Sequence, residues 1–449
     1  MEFKRADTYT ANKESPYYRP LLPEAAFDPI FQKEIQYAVG FLCQMDPSHA
    51  ELYKTIPSEY MKYLQDPKFK DNFREFFAGC FDPESELFKM VFKNNVVKLA
   101  SYMRFLKERD MDKEELAKIQ IKNPLYIVAM PRSGSTFTHS LFSADPRGQK
   151  VAMYEHLNPG SKTMTEEARI KIAEMICGSI TQDSQRNFNT VHALNDVRRP
   201  EEEMFFTEML GLTLVFAQAL PRLEQYRESV IMRDYDWVYD DIIDEMKMHA
   251  IQFPFKSDKE FFCMKCATHF MTPAPFLTQM CKDEYNPRII WLHREPIGNI
   301  KSAILLYWNV RARYEHDIGL DDIKWLNETV IRFNEIMLKN AIAAREQWIA
   351  QNPERAKYIY DVGFSEIIAH PKETVQKIYE YFGMEYTNEF DSALKEVIEN
   401  GHPQKQFGRR QHEENMYTFN PEEVRERFKF HYEKFSQYLP DFWGKKDIN

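Results

Sequence analysis

The chain has 449 residues, 43% of them apolar, and a formal net charge of −10. That is enough for one large domain with additions or for two domains, each with a real core. The acidic balance disfavours a general nucleic-acid binder, which usually carries a basic excess, and leaves room only for a local basic cluster around an anionic ligand.

In chain order, residues 1–25 are polar and Pro-bearing and read as an extended arm. No apolar signal core opens the chain and nowhere do eighteen apolar residues run together, so no membrane span and a cytoplasmic location are expected. The six cysteines, at 43, 80, 177, 263, 266 and 281, are too sparse for a disulfide scaffold and point to a reducing compartment. Residues 26–119 carry apolar positions three and four apart, as in the run Phe88 to Ala100, and read as helical. Residues 1–119 are therefore expected to form an arm and helical region, and residues 120–449 the unit that carries the chemistry. Aromatic content is 14%. It fits either a bulky core or a pocket for a flat acceptor.

The character changes at Asn123-Pro124. Leu125 to Met130 is a short apolar run ended by Pro131, which reads as a buried parallel strand; Ser135 onward reads as a helix. Similar short runs recur at 261–264, 288–292 and 358–362. Helical stretches lie at 163–180, 235–250, 297–313, 322–349 and 366–382. This alternation predicts an α/β fold with a central parallel sheet flanked by helices. A closing helix is expected from Pro421, capped by Asn420.

Between the first strand and its helix stands Pro131-Arg132-Ser133-Gly134-Ser135-Thr136. Backbone N–H groups at a helix start have no intrahelical partner and carry partial positive charge, so an anion there accepts several at once. Gly134 lets the backbone curl close, the hydroxyls add donors and Arg132 adds charge. The loop lacks the Gly-Lys of the triphosphatase pattern and the three glycines of the dinucleotide pattern. By itself it also fits an ordinary strand-to-helix turn with a serine cap.

The segment from Leu125 to Pro146 resembles the opening motif of the PAPS-dependent sulfotransferases (PAPS is 3′-phosphoadenosine 5′-phosphosulfate), in the branch whose loop reads P-R-[ST]-G-[ST]-[ST]. The resemblance implies a P-loop-like sulfotransferase fold. It implies that Arg132, Ser133, Gly134, Ser135, Thr136 and Phe137 bind the 5′-phosphosulfate, with Arg132 neutralising the bridging oxygen as the sulfuryl group leaves. Arg288 to Ser302 resembles the family's 3′-phosphate motif, with Ser302 eight positions beyond Arg294. Arg294 otherwise pairs with a carboxylate such as Glu295 or Asp283. Gly408, Arg409 and Arg410 match a third, looser element that reaches the same phosphate. Tyr358 to Pro371 resembles the family's late strand and helix.

Met264 to His269 resembles the K-[ST]-x-x-H element, with Cys266 where a hydroxyl residue is usual. Asn195 to Phe206 resembles the P-E-E element. They imply two candidate bases, His269 and Glu202, with Lys265 on the sulfuryl oxygens. Arg198 and Arg199 hold the acceptor or pair with the neighbouring glutamates. Tyr307, Trp308, Arg311 and Arg313 line the acceptor pocket or serve the helix. The Cys263-x-x-Cys266 pair has no second pair to complete a zinc set, so no metal is expected. The expected reaction moves a sulfuryl group from PAPS to a hydroxyl or amine of a small molecule, with neither nucleic acid nor membrane as partner. A kinase with an atypical loop and a non-catalytic nucleotide binder of the same fold are the alternatives.

Overall fold

A computed structural model of the chain describes residues 3–78, 84–182, 192–233, 235–314, 319–400 and 414–439. Five strands form one parallel sheet: β1 (Leu125–Ala129), β2 (Gly148–Gln149), β3 (Phe261–Cys266), β4 (Arg288–His293) and β5 (Ile359–Gly363), in the order β2-β3-β1-β4-β5. The chain runs from β1 outward to β2 and β3, then crosses to β4 and β5 on the other side. The crevice at the carboxyl end of β1 is therefore the topological switch point, where open α/β sheets bind ligands.

β1 is buried along its whole length. Tyr126 and Val128 join one apolar cluster, and Leu125, Ile127 and Ala129 join the other. A strand covered on both faces needs apolar residues at every position, which is why it reads as an unbroken run. Ile127 stands opposite both Lys265 on β3 and Ile290 on β4, so the three strands end near one edge.

The helices used below are α1 (Glu24–Met45), α2 (Glu86–Met111), α3 (Ser135–Phe142), α4 (Met204–Met209), α5 (Asp236–Gln252), α6 (Pro296–Tyr314), α7 (Leu320–Gln351), α8 (Pro371–Tyr381) and α9 (Lys429–Phe435). α3, α8 and the helix Asn388–Asn400 cover one face of the sheet. The opposite cluster takes residues from α1, α2, α5, α6 and α7. The helical periodicity of residues 26–119 thus corresponds to real helices, and their apolar faces lie in the same cluster as the sheet.

α2 also braces the segments beside the site. Arg104, fully buried, donates to the carbonyls of Asn158 at 2.8 Å and Pro159 at 2.6 Å. Phe105 packs edge-on against Phe206 of α4 at 5.1 Å. The arm carries no helix or strand over residues 3–23. It is pinned by Tyr9, whose hydroxyl donates to Glu224 at 2.9 Å and accepts from Arg227 at 3.1 Å.

Two expectations shift, and one strand is added. The stretch 366–382 is two helices, Phe364–Ala369 and α8, because Pro371 excludes the helical conformation at His370, which sits at φ −134° and ψ 57°. The closing helix starts at Pro421 with Asn420 capping the Glu422 N–H at 3.0 Å, but it stops at Arg427 and restarts as α9. β2 was not foreseen, since two residues carry no pattern. The five described cysteines are free thiols. No helix among the described residues is long and apolar enough to cross a membrane.

Candidate active site

The loop after β1 places two demands on the backbone, one residue apart. Arg132 and Gly134 both adopt positive φ, +69° and +85°. The loop therefore curls tightly before α3, for which Gly134 is the N-cap. Helix geometry aims the N–H groups of Ser135, Thr136 and Phe137 out of the first turn of α3. Ring atoms of Phe364, just after β5, would lie 2.5 and 2.6 Å from a Cβ at position 134. Only glycine fits both the conformation and the gap.

The segment after β4 closes on this loop from the side. The Arg294 guanidinium donates to the Arg132 carbonyl and lies 4.4 Å over the Phe364 ring. Arg132 Nε donates to the Ser302 hydroxyl at 3.2 Å. Asn299 Nδ2 donates to the Pro131 carbonyl at 2.7 Å and to the Ser133 hydroxyl at 3.1 Å. Arg294, Asn299 and Ser302 thus bring the start of α6 against the loop. The carboxylate of Glu295 accepts from the N–H groups of Ile297 at 3.0 Å and Gly298 at 2.7 Å, so it caps α6 instead of pairing with Arg294. Asp283 pairs with Arg355.

A second cluster lies at the carboxyl end of β3. Lys265 is fully buried and donates to Glu202 at 2.6 Å, with Glu201 at 3.7 Å. Burial opposes its charge, yet the two carboxylates outweigh that and raise its pKa, so Lys265 is an ammonium. Glu202 also accepts from the Ala267 N–H at 3.3 Å. Tyr307 of α6 receives a hydrogen bond from Gln218 at 3.0 Å. Burial pushes its hydroxyl up, while Arg132 pulls it down and Glu202 pushes it further up, so this hydroxyl senses both clusters.

His269 sits deeper. It is 2% exposed, its Nδ1 is 3.0 Å from the Tyr239 hydroxyl, and its ring stacks on Phe276 at 4.2 Å.

A sulfotransferase family profile matches residues 124–388, more than half of the chain. The chain belongs to the sulfotransferase family. No curated protein sequence matches it. Among solved structures it is similar to the sulfotransferase STF9 from Mycobacterium avium, at a TM-score of 0.64 and 17% identity over 81% of this chain and 91% of that one. It is also similar to the sulfotransferase STF1 from Mycobacterium tuberculosis H37Rv, at a TM-score of 0.60 and 17% identity over 81% and 93%. At that identity the likeness speaks for the fold: a parallel sheet with flanking helices, as the sequence pattern indicates.

In this sulfotransferase the residues singled out from sequence fall into groups. Arg132, Ser133, Gly134, Ser135, Thr136, Phe137, Arg294 and Ser302 belong to the loop cluster, and Lys265 and Glu202 form the pair beside it. Arg409 and Arg410 lie outside the described residues. Arg198 and Arg199 do not reach Glu201 to Glu203; they pair with Glu174 at 3.6 Å and Asp196 at 3.5 Å. Arg311 pairs with Asp322. Sequence reasoning missed Asn299 and Phe364. Asn299 has a signal, since it lies three residues before Ser302 on the same helix and so on the same face. Phe364 has none.

Proposed function

We propose that this sulfotransferase moves a sulfuryl group from PAPS to a hydroxyl or amine of a small-molecule acceptor. One observation carries the reading: Arg132, at the carboxyl end of β1, bonds both to Arg294 and to Ser302, which follow β4 more than 160 residues later. Two phosphate-type motifs therefore make one cationic site. In this reading the first turn of α3 and the loop hydroxyls hold the 5′-phosphosulfate, and Arg294 and Ser302 hold the 3′-phosphate. The planar guanidinium suits bidentate phosphate contact.

The acceptor oxygen or nitrogen attacks sulfur in line, and the bond from sulfur to the 5′-phosphate oxygen breaks. The desulfated nucleotide leaves with that electron pair. Catalysis is mostly positioning and electrostatic stabilisation. Arg132 balances charge on the leaving oxygen, and Lys265 balances it on the sulfuryl oxygens. Glu202 takes the acceptor's proton. Its support over His269 is its contact with Lys265 and the reach of its charge to Tyr307, whereas His269 is stacked under Phe276 with one nitrogen on Tyr239. The free thiols support a reducing, cytoplasmic setting.

The test is incubation with radiosulfur-labelled PAPS and a panel of hydroxyl and amine acceptors, without added Mg²⁺. Label transfer is expected, and Arg132→Ala and Ser302→Ala should weaken donor binding. A strict requirement for ATP and Mg²⁺, or donor binding unchanged in both variants, overturns the reading. Tight binding of the desulfated nucleotide without any turnover favours the non-catalytic alternative.

A further inference from the structure

Beyond the Lys265–Glu202 pair lie three side chains with ligand atoms and no task in the reaction above. Glu203 is the N-cap of α4, Cys266 ends β3, and His269 sits in the single turn Thr268–Phe270. One ligand atom from each lies within 4.8 Å of the other two. Their exposures are 0%, 1% and 2%. Neither carboxylate oxygen of Glu203 has a hydrogen-bond partner, and neither has His269 Nε2. Leaving a buried charged group without a partner costs several kcal/mol, so such groups usually pair or coordinate an ion.

The spacing fits coordination better than direct pairing. His269 Nε2 and Glu203 Oε1 are 3.8 Å apart, too far for a hydrogen bond. Nitrogen and oxygen ligands about 2.0–2.1 Å from a tetrahedral Zn²⁺ lie about 3.4 Å from each other, so a small contraction closes the site. The outer contacts are also those of a ligating histidine. The second nitrogen, Nδ1, meets the Tyr239 hydroxyl at 3.0 Å, which in turn is 2.8 Å from the Thr272 hydroxyl. The stack on Phe276 fixes the ring plane.

We propose that Glu203, Cys266 and His269 bind one Zn²⁺ ion in a buried structural site, with the second Glu203 oxygen taking the fourth position. A thiolate, a carboxylate and a neutral imidazole cancel the ion's charge, as a site without solvent requires. The mixed sulfur, nitrogen and oxygen set suits Zn²⁺ or Co²⁺ and not Mg²⁺ or Ca²⁺, which prefer oxygen alone. The site does not use the C-x-x-C pair. Cys263 belongs to the cluster on the opposite face of the sheet, with its sulfur 3.9 Å from the Ser143 hydroxyl. An ion here ties the end of β3 to the start of α4 and so steadies the adjacent Glu202. The proposal rests on Glu202, and not His269, being the base, and metal content is measured without turnover, so the two readings fail separately.

The full chain is produced in zinc-supplemented medium and dialysed, and its metal content is measured. A second sample is loaded with Co²⁺ and its absorption recorded. One zinc per chain and a thiolate-to-cobalt charge-transfer band are expected. Cys266→Ala should lose both, while Cys263→Ala, an equally buried control, should keep both. Circular dichroism checks that each variant is folded. The proposal is overturned if the folded wild-type chain retains no zinc and gives no cobalt band, or if folded Cys266→Ala keeps the band.

Discussion

At position 134 the backbone conformation, an aromatic neighbour and the anion site meet in one residue. An alanine there would carry φ +85° and place its Cβ 2.5 Å from the Phe364 ring. The left-handed conformation alone costs about 1–2 kcal/mol for a non-glycine residue. Gly134→Ala should therefore lower the unfolding midpoint and sharply weaken donor binding, since the loop must open. Gly134→Ala with Phe364→Ala removes the clash and leaves the strain, so the midpoint should recover in part. Phe364→Ala alone also takes away the ring beneath Arg294 and should weaken donor binding by itself. Denaturant titration and calorimetric donor binding read all three. Glu202→Gln tests a different link. It removes the proton acceptor, and Lys265 keeps Glu201 at 3.7 Å. Loss of a general base typically lowers turnover by about 10²–10⁴-fold, while donor affinity should barely change. Unaltered turnover would move the base elsewhere.

At the scale of elements, β4, β5, α7 and α9 meet in a buried polar joint behind the donor site. Asp361 on β5 accepts two hydrogen bonds from Arg345, both 2.6 Å, and lies 2.8 Å from His293 Nε2. His293 Nδ1 is 3.2 Å from His431 Nε2 on α9. Burial works against the Asp361 charge, but Arg345 and His293 outweigh it and hold the carboxyl down to about 2. Burial, and then the neighbouring His293, push His431 down to about 3. Both values lie below those of an unfolded chain, about 3.9 for Asp and about 6.5 for His. The unfolded state therefore binds protons more readily at both sites. Their stabilisation is complete above about pH 6.5. The His431 part falls as pH drops toward about 3, and the Asp361 part falls between about 3.9 and 2. The urea midpoint should drop between pH 7 and pH 4, and His431→Leu should flatten that slope. An unchanged slope would show that other groups control acid stability. None of this joint was legible in the sequence. β1, β3, β4 and β5 were, because burial on both faces leaves apolar runs bounded by Pro, Gly and polar residues. The Arg294 and Ser302 spacing was legible through its resemblance to the family's 3′-phosphate motif, whose members lie close together in the chain. The bond from Arg132 to Ser302, the ring of Phe364 over Gly134 and the convergence of Glu203, Cys266 and His269 depend on how distant segments approach, and local pattern does not encode that.

For the whole molecule, the question is whether the first 119 residues are an attachment or part of the folding unit. Phe27, Phe31 and Ile35 of α1 and Leu99, Met103 and Phe105 of α2 are each at most 2% exposed. They lie in the same apolar cluster as Tyr126, Val128 and Trp291 of the sheet. Burying a large apolar side chain contributes about 1.5–3 kcal/mol. Six of them contribute on the order of 10 kcal/mol, as much as the net stability of a typical domain, about 5–15 kcal/mol. α2 further holds the carbonyls of residues 158 and 159 through Arg104 and the α4 helix through Phe105, so the segment carrying Glu202 leans on it. We therefore expect a chain of residues 120–449 alone to be insoluble, or compact without fixed packing, as seen by loss of the near-ultraviolet dichroism. The full chain should unfold in a single calorimetric transition whose enthalpy matches the van't Hoff value. Removing only residues 1–23 takes out Tyr9 and Leu22 but no helix, and should lower the midpoint while leaving the transition single. A folded 120–449 chain that still binds the donor, or two separate transitions in the full chain, would make the N-terminal helices a separate domain, with Glu202 held in place by the sheet and its own neighbours.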